Sequence, residues 1–388
     1  MGLKELITTA CAMRASDLHL EAGTPLVVRV KGELLSVGES MPGATLIQIG
    51  KDLLGLDAWN HFVARGSADV STRIAGAQCR INLYRTVRGI AVAVRLLTSS
   101  VESLRACNLH PDLRKLIDAR TGLILVSGPT GSGKSTTLAA LIGEINSAFA
   151  RNIITVESPL EYIFTNRRSY IRQREIPTHS PSFEQAIIDA LRENPDVLVI
   201  TEMRTPEVMR LTLNAAETGQ LVLATLHSAT CAEALSRIAM AFAAEIQGSI
   251  LAQLADCLVG VICQRLDFLP EYQLRVPRCE VLVASSAAKG TIRAGQFSQL
   301  ATVIQSGAEY GMWSFDRYQR WMAQKKDWER PSLAPVTTED RAAAVHPSAL
   351  APIAHAKQQP KDAAFEISID EEDVDLAELV KKIDEKAR

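Results

Sequence analysis

Four short runs, LILVS at 123–127, NIITVE at 152–157, DVLVIT at 196–201 and QLVLATLH at 220–227, place apolar residues at consecutive positions rather than at every second one. A strand covered on one face alternates in polarity, so strands without alternation must be buried on both faces. That is the situation of a parallel sheet sandwiched between helices. Helical stretches at 134–149, 182–192, 205–218 and 230–243 fall between and after these runs, which predicts an α/β layer with helices on the sheet. Residues 17–100 read differently. Segments such as DLHLE, LVVRVKGELL, ADVSTRIAG, QCRINLYR and GIAVAVRLL alternate with period two, predicting an antiparallel sheet with a helix near 45–56. The chain is therefore read as a small α+β domain over 1–108 and an α/β domain over 109–330 whose last part, 286–325, is helical. An Ala/Pro-rich linker follows over 331–364, then an acidic amphipathic tail over 365–388.

The first apolar run leads straight into GPTGSGKS, Gly128 to Ser135, and then into the helical TTLAALIGEI. This strand, glycine-rich turn and helix form a phosphate cradle. Gly128, Pro129, Thr130, Gly131, Ser132 and Gly133 supply a backbone that can wrap phosphate oxygens with N–H groups. Lys134 reaches the β- and γ-phosphates, the Ser135 hydroxyl ligates Mg²⁺, and Thr136 continues the helix start. In an open parallel sheet, ligands bind beyond the carboxyl ends of the strands. The other three runs end there on Glu157, Glu202 and His227. Hydrolysis of a metal-bound nucleotide needs a carboxylate to activate water, a second group to order Mg²⁺ and a donor near the γ-phosphate, which Glu157, Glu202 and His227 supply in that order. Each also has a plainer reading: Glu202 as an acid at a helix start, Glu157 and Glu161 as solvated strand ends, His227 as a strand cap, and Arg204 as an ion-pair partner. A cation for developing charge is not obvious in these motifs, so Arg80, Arg85, Arg88 and Arg95 of the first domain become candidates for a finger delivered in cis or from a neighbouring subunit.

The bulk numbers narrow the partners. With 42 Lys and Arg against 44 Asp and Glu, a net charge of −2 and 5% aromatics, the chain offers neither the basic field nor the stacking platforms of a nucleic-acid motor. The 7 cysteines are dispersed without a Cys-x-x-Cys pair, which fits a reduced, cytoplasmic protein. No run approaches the roughly 18 apolar residues of a membrane span, so any membrane contact is expected to be peripheral.

Six segments, ASDLHLEAGTPLVVRVKGEL, GPTGSGKSTTLAALI, TVESPLEYIF, ALRENPDVLVITEMR, AAETGQLVLATLHSATCAEALSRI and VIQSGAEYGMWSFDRY, resemble in order the N-terminal domain, Walker A, Asp box, Walker B, His box and C-terminal region of the type II/type IV secretion ATPases. The similarity spans about residues 3–325 and is nearest the PilT-like pilus-retraction branch. It implies a RecA-like P-loop NTPase core preceded by a small PAS-like α+β domain. It further implies a homo-hexameric Mg-ATP-driven motor on the cytoplasmic face of the inner membrane. Its partners would be a pilus or secretion platform protein and, in some systems, a sister ATPase, with no direct nucleic-acid role. By resemblance Glu157 activates water, Glu202 is the Walker B acid, His227 is the His-box residue, and Arg80 and Arg95 are the arginines that reach the nucleotide. Ser158, Thr201 and Thr205 stand where the family carries aspartate, glycine and aspartate. Ser158 and REIPTHSPSF at 174–183 also resemble the DotB-like ATPases of type IVB secretion, and the three departures admit a catalytically weak accessory subunit.

The tail ISIDEEDVDLAELVKKIDEKAR places its acids early, its bases late and Leu376, Leu379, Val380 and Ile383 on one helical face. Read as a docking helix, it predicts that removing residues 331–388 alters assembly on size-exclusion chromatography or alters turnover. Unchanged behaviour in both would reduce it to a solubilising end.

Overall fold

The computed structural model describes residues 2–30, 33–97 and 103–330; the linker and tail read at 331–388 lie outside the described residues. The alternating segments form Ala15–Glu21 (β1), Leu26–Val30 (β2), Glu33–Val37 (β3), Ser67–Ile74 (β4), Ala77–Thr86 (β5) and Gly89–Leu97 (β6). These pair antiparallel in the order β3-β2-β1-β6-β5-β4. Alternation sets the buried face: Leu18 and Leu20 of β1, Cys79, Ile81 and Leu83 of β5, and Val92 and Val94 of β6 are inside. Leu3–Ala12 (α1) and Gly43–Arg65 (α2) cover that face with Leu6, Ile7 and Ala10, and with Leu46, Ile49 and Phe62. The run LVVRVKGELL thus supplies two paired strands. The helix expected near 45–56 runs on to Arg65 with a break at Gly55, whose φ is +70°. Its second half carries Leu56 at 82% exposure, so the apolar stripe fades and periodicity gives no signal there.

The both-face strands are Gly122–Ser127 (β7), Asn152–Glu157 (β8), Val197–Ile200 (β10) and Leu221–Leu226 (β11). They join Tyr170–Glu175 (β9), Leu258–Leu269 (β12) and Leu274–Val283 (β13) in a seven-stranded sheet of order β13-β12-β7-β11-β10-β8-β9. All neighbours are parallel except β12 with β13. Every residue of β7, β10 and β11 is buried, as their continuous apolar character requires. On one face lie Phe183–Leu191 (α4), Pro206–Glu217 (α5), Cys231–Met240 (α6), Ala244–Cys257 (α7), Ser286–Arg293 (α8) and Leu300–Ser306 (α9). Lys134–Ala148 (α3), the short 3₁₀ turn at Pro111–Asp118 and Phe315–Gln324 (α10) cover the other. Sequence periodicity pointed to neither β9, the β12–β13 hairpin, nor α7.

Helix α10, the last among the described residues, is tied to the segment entering the sheet by a buried polar bond. The His110 backbone N–H donates to the hydroxyl of the fully buried Tyr318 at 2.8 Å. Tyr318→Phe keeps the ring and orphans that N–H. The substitution is expected to cost roughly 1–3 kcal/mol in urea unfolding, without a change in far-ultraviolet dichroism.

Candidate functional site

Strand β7 delivers the chain into the phosphate loop, and the loop's shape depends on what lies behind it. Gly128 (φ +150°) and Gly133 (φ +87°) press against β12: a Cβ on them would come within 2.4 Å of the Gln264 carbonyl oxygen and 2.7 Å of its side-chain nitrogen, respectively. Gln264 is buried and clamps the loop from the rear. Its Nε2 donates to the Ser132 carbonyl at 2.6 Å, and its Oε1 accepts from the Thr137 hydroxyl at 2.6 Å. At the front, Lys134 Nζ donates to the carbonyls of Gly128 (2.9 Å) and Pro129 (3.0 Å) and lies 3.4 Å from His227 Nδ1. Burial lowers the Lys134 pKa, opposed by the charges of Glu161 and Glu202.

The parallel strands set the other groups around this loop. A cavity of about 300 Å³ is lined by Thr130, Gly131, Lys134 and Ser135 of the loop, together with Glu157, Glu202 and His227 from three separate strand ends. Glu157 is 6% exposed; Thr155 Oγ1 donates to its Oε1 at 2.5 Å, and Gln173 Nε2 donates to the same oxygen at 3.1 Å. Burial outweighs these donors and pushes its carboxyl up to about 7, with the Glu161 charge adding to the rise. Glu202 Oε1 accepts from the exposed Arg204 guanidinium at 2.6 Å, so the ion-pair reading of Arg204 describes its position. The exposed His227 is held by its backbone, whose carbonyl accepts from Arg237 at 2.8 Å. Burial, then the positive charges of Lys134, Arg204 and Arg237, lower its pKa and keep the imidazole neutral.

Not every residue picked out by sequence reaches the cleft. Gly128, Pro129, Ser132, Gly133 and Thr136 shape the loop and the helix start without lining the cavity; the Thr136 hydroxyl lies 2.8 Å from the Tyr162 hydroxyl. Arg80 and Arg95 face each other across β5 and β6 and are not among the lining residues. Arg95 is engaged with Asp17 at 3.0 Å. Conversely, Glu161, whose plainer reading is a solvated strand end, lines the cleft with Tyr162 and Phe164. Gln173 and Gln264 carried no motif, and only the pairing of β9 and β12 into the sheet brings them to the site. Cys231, Cys263 and Glu280 offer ligand atoms within 4.8 Å of one another. The Glu280 carboxylate caps α6 by accepting from the Cys231 N–H at 2.7 Å, and burial raises the Cys231 thiol well above its usual range, so this cluster is accounted for as helix capping and core.

A parallel α/β sheet with a phosphate loop at its carboxyl edge, preceded by a smaller α+β region, is the architecture of the secretion and pilus ATPases. The profile of the family described as "Type II/IV secretion system protein" matches residues 2–270, and the chain belongs to that family. It is 36% identical over 318 residues to YggR of Escherichia coli strain K12, spanning 82% of this chain and 97% of that protein. It is 33% identical over 320 residues to the "Type IV pilus retractation ATPase PilT" of Pseudomonas aeruginosa, spanning 81% and 92%. The crystal structure of the pilus retraction motor PilT with bound ADP matches with a TM-score of 0.77 at 31% identity, covering 90% of this chain and 99% of that one.

The raised Glu157 carboxyl has a thermodynamic sign. Between its unfolded value of 4.5 and about 7 the unfolded chain sheds a proton that the folded chain keeps, so stability falls as pH rises through this window. Glu157→Gln stays neutral throughout. It is expected to raise the thermal midpoint by several degrees at pH 8, a gain on the order of 3 kcal/mol, and by little at pH 5; equal midpoint differences at both pH values would contradict the buried-carboxyl account.

Proposed function

We propose that the chain is the subunit of a homo-hexameric, Mg-ATP-hydrolysing motor that powers type IV pilus retraction or a related secretion system. The observation that carries this is the convergence of Lys134, Ser135, Glu157, Glu202 and His227 on one cleft. The chemistry of the donor set fits a magnesium nucleotide. Gly131 has φ +77° and open space where a side chain would stand, Lys134 is held over the loop by two of the loop's own carbonyls, and the Ser132 hydroxyl is buried without a hydrogen-bond partner. Backbone N–H groups of 131–136 and the Lys134 ammonium would hold the phosphates, and the Ser135 hydroxyl with Glu202 would hold the metal. Magnesium, when bound, neutralises charge on the terminal phosphates.

Within that arrangement Glu157 takes the proton of the attacking water. A carboxyl raised to about 7 is a stronger base than an ordinary glutamate, and Thr155 and Gln173 fix the oxygen they share. Glu202 is oriented by Arg204. Neutral His227 can donate to a γ-phosphate oxygen without repelling Lys134. Arg80 and Arg95, away from the cleft of their own chain, act as fingers on a neighbouring subunit's nucleotide, Arg95 leaving Asp17 to do so. Among the described residues no helix is long and apolar enough to cross a membrane. In this reading the motor engages its inner-membrane platform protein, and any sister ATPase, through peripheral contacts on the cytoplasmic side.

Ser158 and Thr201, which raise the accessory-subunit reading, have their hydroxyls committed to backbone carbonyls: Ser158 to Ile176 at 3.2 Å and Thr201 to Val156 at 3.3 Å. Thr205 caps α5 by accepting from the Val208 N–H at 3.2 Å. None of these displaces Glu157 or Glu202, which favours an active enzyme. A DotB-like role is separated from retraction by complementation, through rescue of effector export as against twitching.

The purified chain with Mg-ATP is expected to turn over, with kcat rising as pH passes about 7. Lys134→Ala should abolish nucleotide binding, and Glu157→Gln should lower kcat roughly 10²–10⁴-fold while binding is kept. Wild-type turnover no greater than that of Lys134→Ala would sink the enzyme reading.

A further inference from the structure

The segment joining β8 to β9 is laced along its length to β9. The Ser158 hydroxyl donates to the Ile176 carbonyl at 3.2 Å, and the Leu160 N–H donates to Glu175 Oε1 at 3.3 Å. Gln173 then takes both ends of the next pair: its Nε2 donates to the Tyr162 carbonyl at 2.8 Å, and its Oε1 accepts from the Phe164 N–H at 2.9 Å. This strap places Ser158, Pro159, Glu161, Tyr162 and Phe164 on the cleft wall. The same Gln173 amide reaches Glu157. The order of the strap and the placement of the Glu157 oxygen therefore depend on the side chains of one edge strand.

One of those side chains is itself held from outside the seven-stranded sheet. Glu175 is 4% exposed, pairs in register with Glu157, and its Oε1 accepts from the Ser71 hydroxyl at 2.7 Å. Ser71 lies on β4, the edge of the N-terminal sheet. A hydrogen bond to a carboxylate in a buried setting is stronger than a neutral one. Without the Ser71 hydroxyl, that oxygen keeps the longer bond from Leu160.

We propose that Ser71 and Glu175 are a positioning couple through which the N-terminal sheet sets the 158–164 strap, and with it the cleft, in its working arrangement. The inference rests on the hydrolytic reading above for its consequence in turnover, and on geometry alone for its effect on the strap. Neither residue touches the reacting atoms. Their influence runs from β4 through Oε1 of Glu175 to the Leu160 amide, and in parallel along β9 to Gln173.

The test uses the full chain and Ser71→Ala, Ser71→Thr, Glu175→Ala and the double Ser71→Ala/Glu175→Ala variant. Ser71→Ala is expected to lower kcat roughly three- to tenfold, with KM and fluorescent-nucleotide affinity changed less than about twofold. It should also speed hydrogen exchange at Leu160 and Phe164 without doing so in β7 or β11. Ser71→Thr keeps the hydroxyl and should restore both readouts. The double variant should be no worse than Glu175→Ala alone, because the two act as a unit. Wild-type kcat and strap exchange in Ser71→Ala, or multiplicative losses in the double variant, would overturn the proposal. If the wild type itself fails to exceed Lys134→Ala in turnover, the ATPase reading falls, and strap exchange in Ser71→Ala against Ser71→Thr still decides the couple. Ser71 is only half-buried on an edge strand, so its variants retain the fold even if Glu175→Ala does not.

Discussion

Parallel register is the constraint on which everything else at the cleft depends. Val156 pairs with Ile200, Ile200 with Ala224, and Leu226 with Ser127. Four segments separated by up to a hundred residues therefore leave the sheet at nearly one level. Glu157, Glu202, His227 and the phosphate loop need no further device to meet. Because the strands are apolar on both faces, a slip by one residue would not merely turn side chains over; it would pull hydrophobic atoms out of two cores at once. The burial of two cores thus enforces the alignment of polar groups at the rim.

Holding polar groups at such a rim creates an electrostatic tension that is resolved differently at each position. Glu157 is buried and accepts two hydrogen bonds, yet desolvation dominates and its carboxyl titrates near neutrality. Glu202 is more open and takes a guanidinium partner. Lys134 and His227 sit 3.4 Å apart, and the pair is tolerable because burial, together with the surrounding positive charge, lowers the imidazole's pKa and favours its neutral form. Two acids on neighbouring strands thus stand in different surroundings, one desolvated and the other ion-paired.

The phosphate loop, the three polar strand ends and the α/β layer were legible because each is a local pattern: a run of apolar residues broken by one functional group. What escaped is non-local or disguised. In β9 the inward positions are Ile171, Gln173 and Glu175, while Arg172 and Arg174 turn outward to Glu193. Polar residues on the covered face erase the alternation that marks a strand. Gln264 acts on residues more than a hundred positions upstream, and no spacing rule connects it to the loop it supports. Glu161 looked like a solvated acid because the sequence does not show that its segment is strapped across a cavity. The pairing of Arg80 with Arg95 shows the opposite limit: no local pattern announces that the two lie side by side across β5 and β6, and neither lines the cleft.

The departures at Ser158 and Thr201 gain a physical meaning from the same geometry. Thr201 crosses from the end of β10 to the Val156 carbonyl of β8, and the Thr225 hydroxyl of β11 donates in turn to the Thr201 carbonyl. Three adjacent strand ends are linked at the level where Glu157 and Glu202 emerge. Ser158 ties the next residue of β8's exit to the loop after β9. A glycine at 201 would leave the strand end free to adjust, whereas threonine fixes it by a hydrogen bond and by its branched Cβ. These residues therefore trade freedom at the strand ends for a more firmly held pair of acids.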